Sequence, residues 1–192
     1  MSFIQINVDY ILLNIEKEKD GNDDICNLRY FFGRYSKAKE RGFDNTHDMQ
    51  KHLIEAWNAK VNPNDIVYHL GNFAWDIISA EHALLNLNGN INFLPSTYDS
   101  ALMETVDVFD NLKVIDNSIY VIESLEWVLS PWPLKDWPGK KHGAMHVHGG
   151  DKRYKAQLQK ELRFNSNCDL WSYAPVSLES LTEVIEMAKE NC

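Results

Sequence analysis

An α/β fold, with helices covering the sheets, is the expectation for this 192-residue chain. Short β-branched or aromatic runs alternate with amphipathic stretches, the pattern produced when helices pack on a sheet. The length suits one domain spanning 1–192, because domains usually take roughly 100–200 residues. The composition is 44% hydrophobic, 24% charged and 11% aromatic with 6 Trp, which excludes wholesale disorder and implies a substantial core.

Residues 3–8 and 10–13 look strand-like, and the charged stretch from Glu16 to Asp24 is expected to be a loop. From Thr46 the apolar positions Met49, Leu53, Ala56 and Trp57 recur at helical spacing behind a plausible N-cap. This predicts an amphipathic helix to about Lys60, stopped by Asn62-Pro63-Asn64. The run DIVYHL is short, β-branched or aromatic at its centre, and bounded by turn residues, so it reads as a buried strand ending at Gly71-Asn72. A helix capped by Ser79 follows, with Ala80, Ala83, Leu84 and Leu87 as its stripe and Gly89 at its left-handed end. INFL returns as a strand. LKVID, IYVIES and EWVLS, linked by turns such as Asp116-Asn117-Ser118, predict a meander and an antiparallel-rich second half. Leu178, Leu181, Val184, Ile185 and Ala188 then line a closing helix, with Pro175 just outside it and Ser177 as its cap.

A net charge of −9 and a pI near 5.2 repel phosphate backbones at long range, so nucleic acid is not an expected partner. KDWPGKK and DKRYK are the modest basic clusters, and such clusters are usually solvated surface. Cys26, Cys168 and Cys192 are widely spaced without a CxxC pair, so free thiols are expected. No apolar run approaches the roughly 20 residues that span a bilayer. The start MSFIQINVDYILLN lacks the basic region and cleavage site of a signal peptide, which makes a cytoplasmic location and no membrane partner the expectation.

Reactive groups in such folds collect where loops leave the carboxyl ends of strands. The loops after Ile6, Leu70, Leu94, Leu129 and Met145 carry Asn7-Val8-Asp9, Gly71-Asn72, Ser96-Thr97-Tyr98-Asp99, Ser130-Pro131-Trp132-Pro133 and His146-Val147-His148-Gly149. In this order the chain resembles the calcineurin-like metallophosphoesterase superfamily, in the short single-domain branch common in bacteria and phages. LIEAWNAKVNPNDIVYHLGNFAW looks like that branch's segment ending in a strand and Gly-Asp, and LNLNGNINFLPSTYD is similar to its LNG strand followed by Gly-Asn-His-Asp. LSPWPLKDW occupies the place of its Ser-His-Tyr-Pro loop, and DLWSYAPVSLESL resembles its closing strand and last helix. The resemblance covers most of the chain and implies a four-layer α/β/β/α sandwich.

That superfamily works through two divalent cations held about 3.5–4 Å apart, and the resemblance implies where their ligands would stand. Its Asp-x-His falls on Asn7 to Asp9 and its bridging aspartate on Asn72, a neutral amide. Its Asn-His falls on Thr97-Tyr98, with Asp99 retained, and its Ser-His on Ser130-Pro131, where proline offers no side-chain donor or acceptor. Its Gly-His-x-His falls on His146 and His148, or two residues later on His148 and Gly150. We expect the two histidines to point to opposite faces of an extended segment, so that a shared metal ion needs a local bend. Asp99 is expected to cap a helix beginning near Ala101, His69 to be a hydrogen-bonded core residue, and His47, His52 and His82 to lie on helix surfaces.

These replacements imply a pseudoenzyme, possessing no catalytic residue and no cofactor, that acts as a protein-binding module, with phage origin a natural guess. Trp127, Trp132 and Trp137 are the candidate binding residues, for a partner with a basic face; alternatively Trp132 and Trp137 plug a vacated metal cavity. The competing expectation is a divergent phosphoesterase holding one divalent ion, manganese, iron or zinc, on His146 and His148. A homo-oligomer is a third expectation.

Overall fold

The computed structural model describes residues 24–27, 32–122, 126–150 and 162–183. The strands expected at 3–8 and 10–13, the candidate residues Asn7 and Asp9, the DKRYK cluster and the end of the closing helix lie outside these residues. Two sheets organise the described residues. In the first, β1 (Asp24–Asn27), β2 (Ile66–His69), β3 (Asn90–Phe93) and β4 (Leu112–Val114) run parallel in the spatial order β4-β3-β2-β1, and β9 (Val176–Ser177) pairs antiparallel with β1. The second holds β5 (Tyr120–Ile122), β6 (Trp127–Ser130), β7 (Met145–His148) and β8 (Arg163–Asn165) in that order, parallel except for β5 against β6.

The helices are α1 (Tyr35–Glu40), α2 (Thr46–Asn58), α3 (Ile77–Leu84), α4 (Ser100–Met103) and a stretch at 178–183. Asn45 starts α2 by accepting the Asp48 backbone N–H at 2.8 Å, and Met49, Leu53 and Trp57 then bury one stripe. Asp76, not Ser79, caps α3: its carboxylate accepts the Ser79 backbone N–H at 2.8 Å, which moves the start forward and leaves Ser79 inside the first turn. At the closing helix the expected cap is present, since Ser177 Oγ accepts the Ser180 N–H at 3.0 Å.

Strand alternation sorts side chains between separate cores. Val67, Phe73, Ile91 and Phe93 join Phe32, Leu53 and Trp57 under the helices. Tyr68, Leu70 and Leu94 meet Trp127, Leu129, Met145, Val147 and Phe164, so the two sheets face each other across a second core. Val128, Trp137 and Ala144 form a third, on the outer face of the second sheet. Helix layer, sheet and sheet are thus stacked, and among the described residues that outer face is covered by segment 131–144 with only a short 3₁₀ turn, Lys140–His142. No helix among the described residues is long and apolar enough to cross a membrane.

Several expectations change. Asp24, read as the end of a loop, opens β1, which lies between β2 and β9; the strand flanking β2 is therefore this one, not the one on which the Asn7 to Asp9 alignment relied. Helix α1 was not foreseen. The second half is mostly parallel: β4 sits beside β3 in the first sheet, so Asp116-Asn117-Ser118 belongs to a crossing between sheets rather than a hairpin. Segment 145–148, expected to hold a loop, is strand β7. Local spacing suggested hairpins, and long-range pairing in buried sheets overrode it.

The tryptophans separate as well. Trp127 is buried between the sheets and Trp137 is packed from segment 131–144 onto the outer face of the second sheet, while Trp132 remains 37% exposed. Trp137 is thus a plug, though for the sheet's outer face. Removing it should leave a cavity: Trp137→Ala is expected to lower stability by about 3–5 kcal/mol. Trp132→Ala should stay within about 1 kcal/mol of the parent. Urea denaturation checks this, and equal losses at both positions would contradict the placement.

Candidate functional site at the carboxyl ends of the parallel strands

Segment 166–175 links the carboxyl ends of the two parallel sets. It leaves β8 after Asn165, folds into a 3₁₀ turn (Cys168–Leu170), and delivers β9 to the end of β1, where Val176 pairs with Cys26. The turn stays close to its origin, because Trp171 Nε1 donates to the Asn165 carbonyl at 3.0 Å. Arg41 clamps it from the helix side, its Nε 2.7 Å from Asp169 Oδ1 with both side chains nearly buried. Loops leaving both sheets are thereby gathered at one end of the fold, where ligand sites of open α/β sheets form.

One of these loops, held by several buried hydrogen bonds, follows β2. Gly71 and Asn72 take left-handed backbone, φ +86° and +55°. Glycine is required at 71, since a Cβ there would come within 2.7 Å of Ser96 Cβ and 2.9 Å of Ser96 N. The turn aims successive backbone N–H groups at one carboxylate: Asn72 N donates to Asp99 Oδ2 and Phe73 N to Asp99 Oδ1, each at 2.8 Å. Ser96 adds its N–H at 2.8 Å and its hydroxyl at 2.7 Å, both to Oδ2. Consecutive N–H groups of this kind form an anion-binding concavity, and the anion is the protein's own Asp99. Asp99 precedes α4 but makes no side-chain cap there; the expected cap is replaced by this tie to the β2 loop.

Asn72 itself is buried to 1% exposure, and its Oδ1 has no hydrogen-bond partner among the described residues. An acceptor left so is costly, by about 1–3 kcal/mol. The neighbouring candidates do not converge on it as ligands. Thr97 is exposed, Tyr98 is 62% exposed, and Pro131 is buried without a polar side-chain atom. Ser130 Oγ is engaged with the Trp132 carbonyl.

His146 and His148 share a face. Met145 and Val147 enter the core between the sheets, so alternation sends both histidines to the other side, with ring centroids 5.4 Å apart. The expectation that a bend would be needed was mistaken, because positions i and i+2 of a strand always agree in direction. Both nitrogens of His146 are used: Nε2 accepts the Leu134 N–H at 3.0 Å, and Nδ1 donates to the Val128 carbonyl at 3.0 Å. The ring is therefore a neutral tautomer with no spare lone pair. Burial, helped by the charges of Arg163 and Lys140 and opposed by the bond to Val128, lowers its pKa to about 4. His148 Nδ1 accepts the Gly150 N–H at 2.9 Å.

Sequence reading missed Asn165, Ser166 and Asn167, which are buried at the end of β8. Ser166 N donates to the His148 carbonyl at 3.1 Å and Asn167 Nδ2 to the Gly150 carbonyl at 3.0 Å, closing this edge with amides. Their signal, a polar Asn-Ser-Asn after a short apolar run, lies in a strand too brief to be recognised alone. His69 sits on the helix side among Trp57, Phe73 and Phe93, and burial pushes its pKa down to about 3.

The described residues offer little to a pair of cations. The amide at 72 supplies no charge to offset two cations, His146 has no free nitrogen, and no group of three or more His, Cys, Asp or Glu side chains able to hold a metal ion occurs among the described residues.

Asp99→Asn, which turns an acceptor oxygen into a donor facing donors, should cost about 2–4 kcal/mol, read from denaturation midpoints. A loss below ~0.5 kcal/mol would mean the carboxylate is not the tie described. Acid should also weaken the fold. His69 and His146 have folded pKa values below the usual 6.5, so the unfolded chain binds protons that the folded one refuses. Stability is then full above about pH 6.5 and falls towards pH 4, by up to about 1.4 kcal/mol per pH unit for each histidine. His146→Gln should flatten part of that slope, and a flat profile in the parent protein would contradict both assignments.

No family model matches the chain. In fold it is similar to the protein of unknown function AQ665 from Aquifex aeolicus, with a TM-score of 0.63 at 18% identity, over 85% of this chain and 99% of that one. In sequence it is 30% identical over 168 residues to the uncharacterized protein MJ1445 of Methanocaldococcus jannaschii, covering 86% of this chain and 91% of the relative. On that identity and coverage, the chain belongs to the same family as MJ1445.

Proposed function

We propose that the chain is a pseudoenzyme: a metallophosphoesterase-like scaffold, completed as a four-layer sandwich, that binds a protein partner and does not hydrolyse phosphoesters. The observation that carries this reading is Asn72. It stands at the tip of the central parallel strand, at the position to which the sequence resemblance assigns the bridging carboxylate, yet it is neutral, buried and, among the described residues, without a hydrogen-bond partner for Oδ1. The loop that holds it is intact, tied by Asp99. A preserved frame around a neutral centre supports binding over hydrolysis, since two cations sharing one site need a bridging anion. A one-metal hydrolase on His146 and His148 would first have to displace the Leu134 N–H from Nε2.

Two measurements test this. With bis(p-nitrophenyl) phosphate and manganese, the protein should release no more nitrophenol than buffer does. Melting should be indifferent to excess EDTA, because a ligand-linked stabilisation disappears only when a bound ion is withdrawn. Turnover abolished by chelation and restored by manganese would overturn the reading, as would a fall of several degrees in EDTA.

A further inference from the structure

The connection from β6 to β7 runs between adjacent parallel strands, where a helix is the usual crossover. Here it is segment 131–144, a long irregular stretch of the kind that compact domains keep mainly for function. It is held rigidly. Leu134 is fixed through its N–H to His146 Nε2 at 3.0 Å and its carbonyl to Arg163 Nη1 at 3.2 Å, and Trp137 Nε1 donates to the Ala144 carbonyl at 2.8 Å. Lys140 Nζ donates to the Lys135 carbonyl at 2.8 Å and lies 4.2 Å from the Trp137 ring centroid. Pro131, Pro133 and Pro138 restrict the chain further. The side chains this frame leaves in solvent include Trp132, Lys135, Lys141 and His142, together with the acidic Asp136. The segment carries three lysines against one aspartate in a chain of net charge −9.

We infer that segment 131–144 is a docking surface for an acidic protein segment that also bears an apolar side chain. Lys135 and Lys141 would meet its carboxylates and Trp132 its apolar residue. Pre-formed aromatic anchors give affinity at low ordering cost, and charges around them set selectivity and salt dependence. The local charge reverses the expectation of a basic partner drawn from the overall charge. A protein segment is favoured over nucleic acid because an extended polyanion would also meet the field of the acidic remainder. This assignment rests on the binding-module reading and gives it a partner chemistry.

The probe is a fluorescent peptide of about ten residues, glutamates flanking one phenylalanine, followed by anisotropy against the whole protein. Binding is expected at about 20 mM salt and should be lost near 0.5 M. Lys135→Glu with Lys141→Glu should weaken it at least about tenfold and Trp132→Ala about fivefold or more, with melting unchanged. The milder pair Lys135→Gln with Lys141→Gln should weaken it in the same direction, and guards against a folding defect in the charge reversal. No binding at low salt, binding indifferent to these substitutions, or tighter binding of an oligothymidylate of equal length would each overturn the inference. Such a failure would leave the hydrolysis and chelator results untouched, so the two readings fall separately.

Discussion

The tie between Asp99 and the backbone of the β2 loop is the constraint on which the candidate site depends. Gly71 and Asn72 can hold consecutive left-handed conformations because a carboxylate collects the N–H groups that this geometry turns inward. The same carboxylate takes both donors of Ser96, so the loops after β2 and β3 become one unit. Charge-assisted hydrogen bonds of this kind are the stronger ones in proteins, and their burial raises the penalty for leaving any donor unmatched. Asn72 is carried into its buried position by that unit, and its Oδ1 has no hydrogen-bond partner among the described residues.

On the second sheet the polar groups are turned to the opposite purpose. His146 is a hinge pin for segment 131–144: its two nitrogens join β6 to Leu134, and burial keeps the ring neutral so that the Nε2 acceptor remains available. Trp137 fills the space beside it, 5.1 Å between ring centroids. Satisfied buried polar groups rigidify their surroundings. The outer face of this sheet is thus finished by a fixed loop, and the exposed side chains of that loop are presented by residues whose own interactions are internal.

Much of this fold was legible in the sequence where periodicity and capping agreed. Met49, Leu53 and Trp57 gave α2, and the buried runs of β2 and β3 were recognisable from their β-branched and aromatic content. What escaped was decided by distant partners. DICN reads as polar and charged, and becomes a strand only between β2 and β9. The parallel pairing of β4 with β3 cannot be read from spacing that equally suits a hairpin. At the site, motif order located Asn72 and Asp99 but not their roles. That Asp99 ties a loop rather than capping α4 depends on where Gly71 turns, and the internal engagement of His146 depends on Leu134, twelve residues away in sequence.

In the proposed reading the site holds its shape without a metal ion, through a carboxylate that the chain supplies to itself. Elemental analysis of the protein, produced in medium supplemented with manganese, iron and zinc and then dialysed, tests it most directly. The account predicts metal content far below one equivalent per chain. One or two equivalents of any of these ions retained through dialysis, and removed only together with a loss of stability, would contradict it.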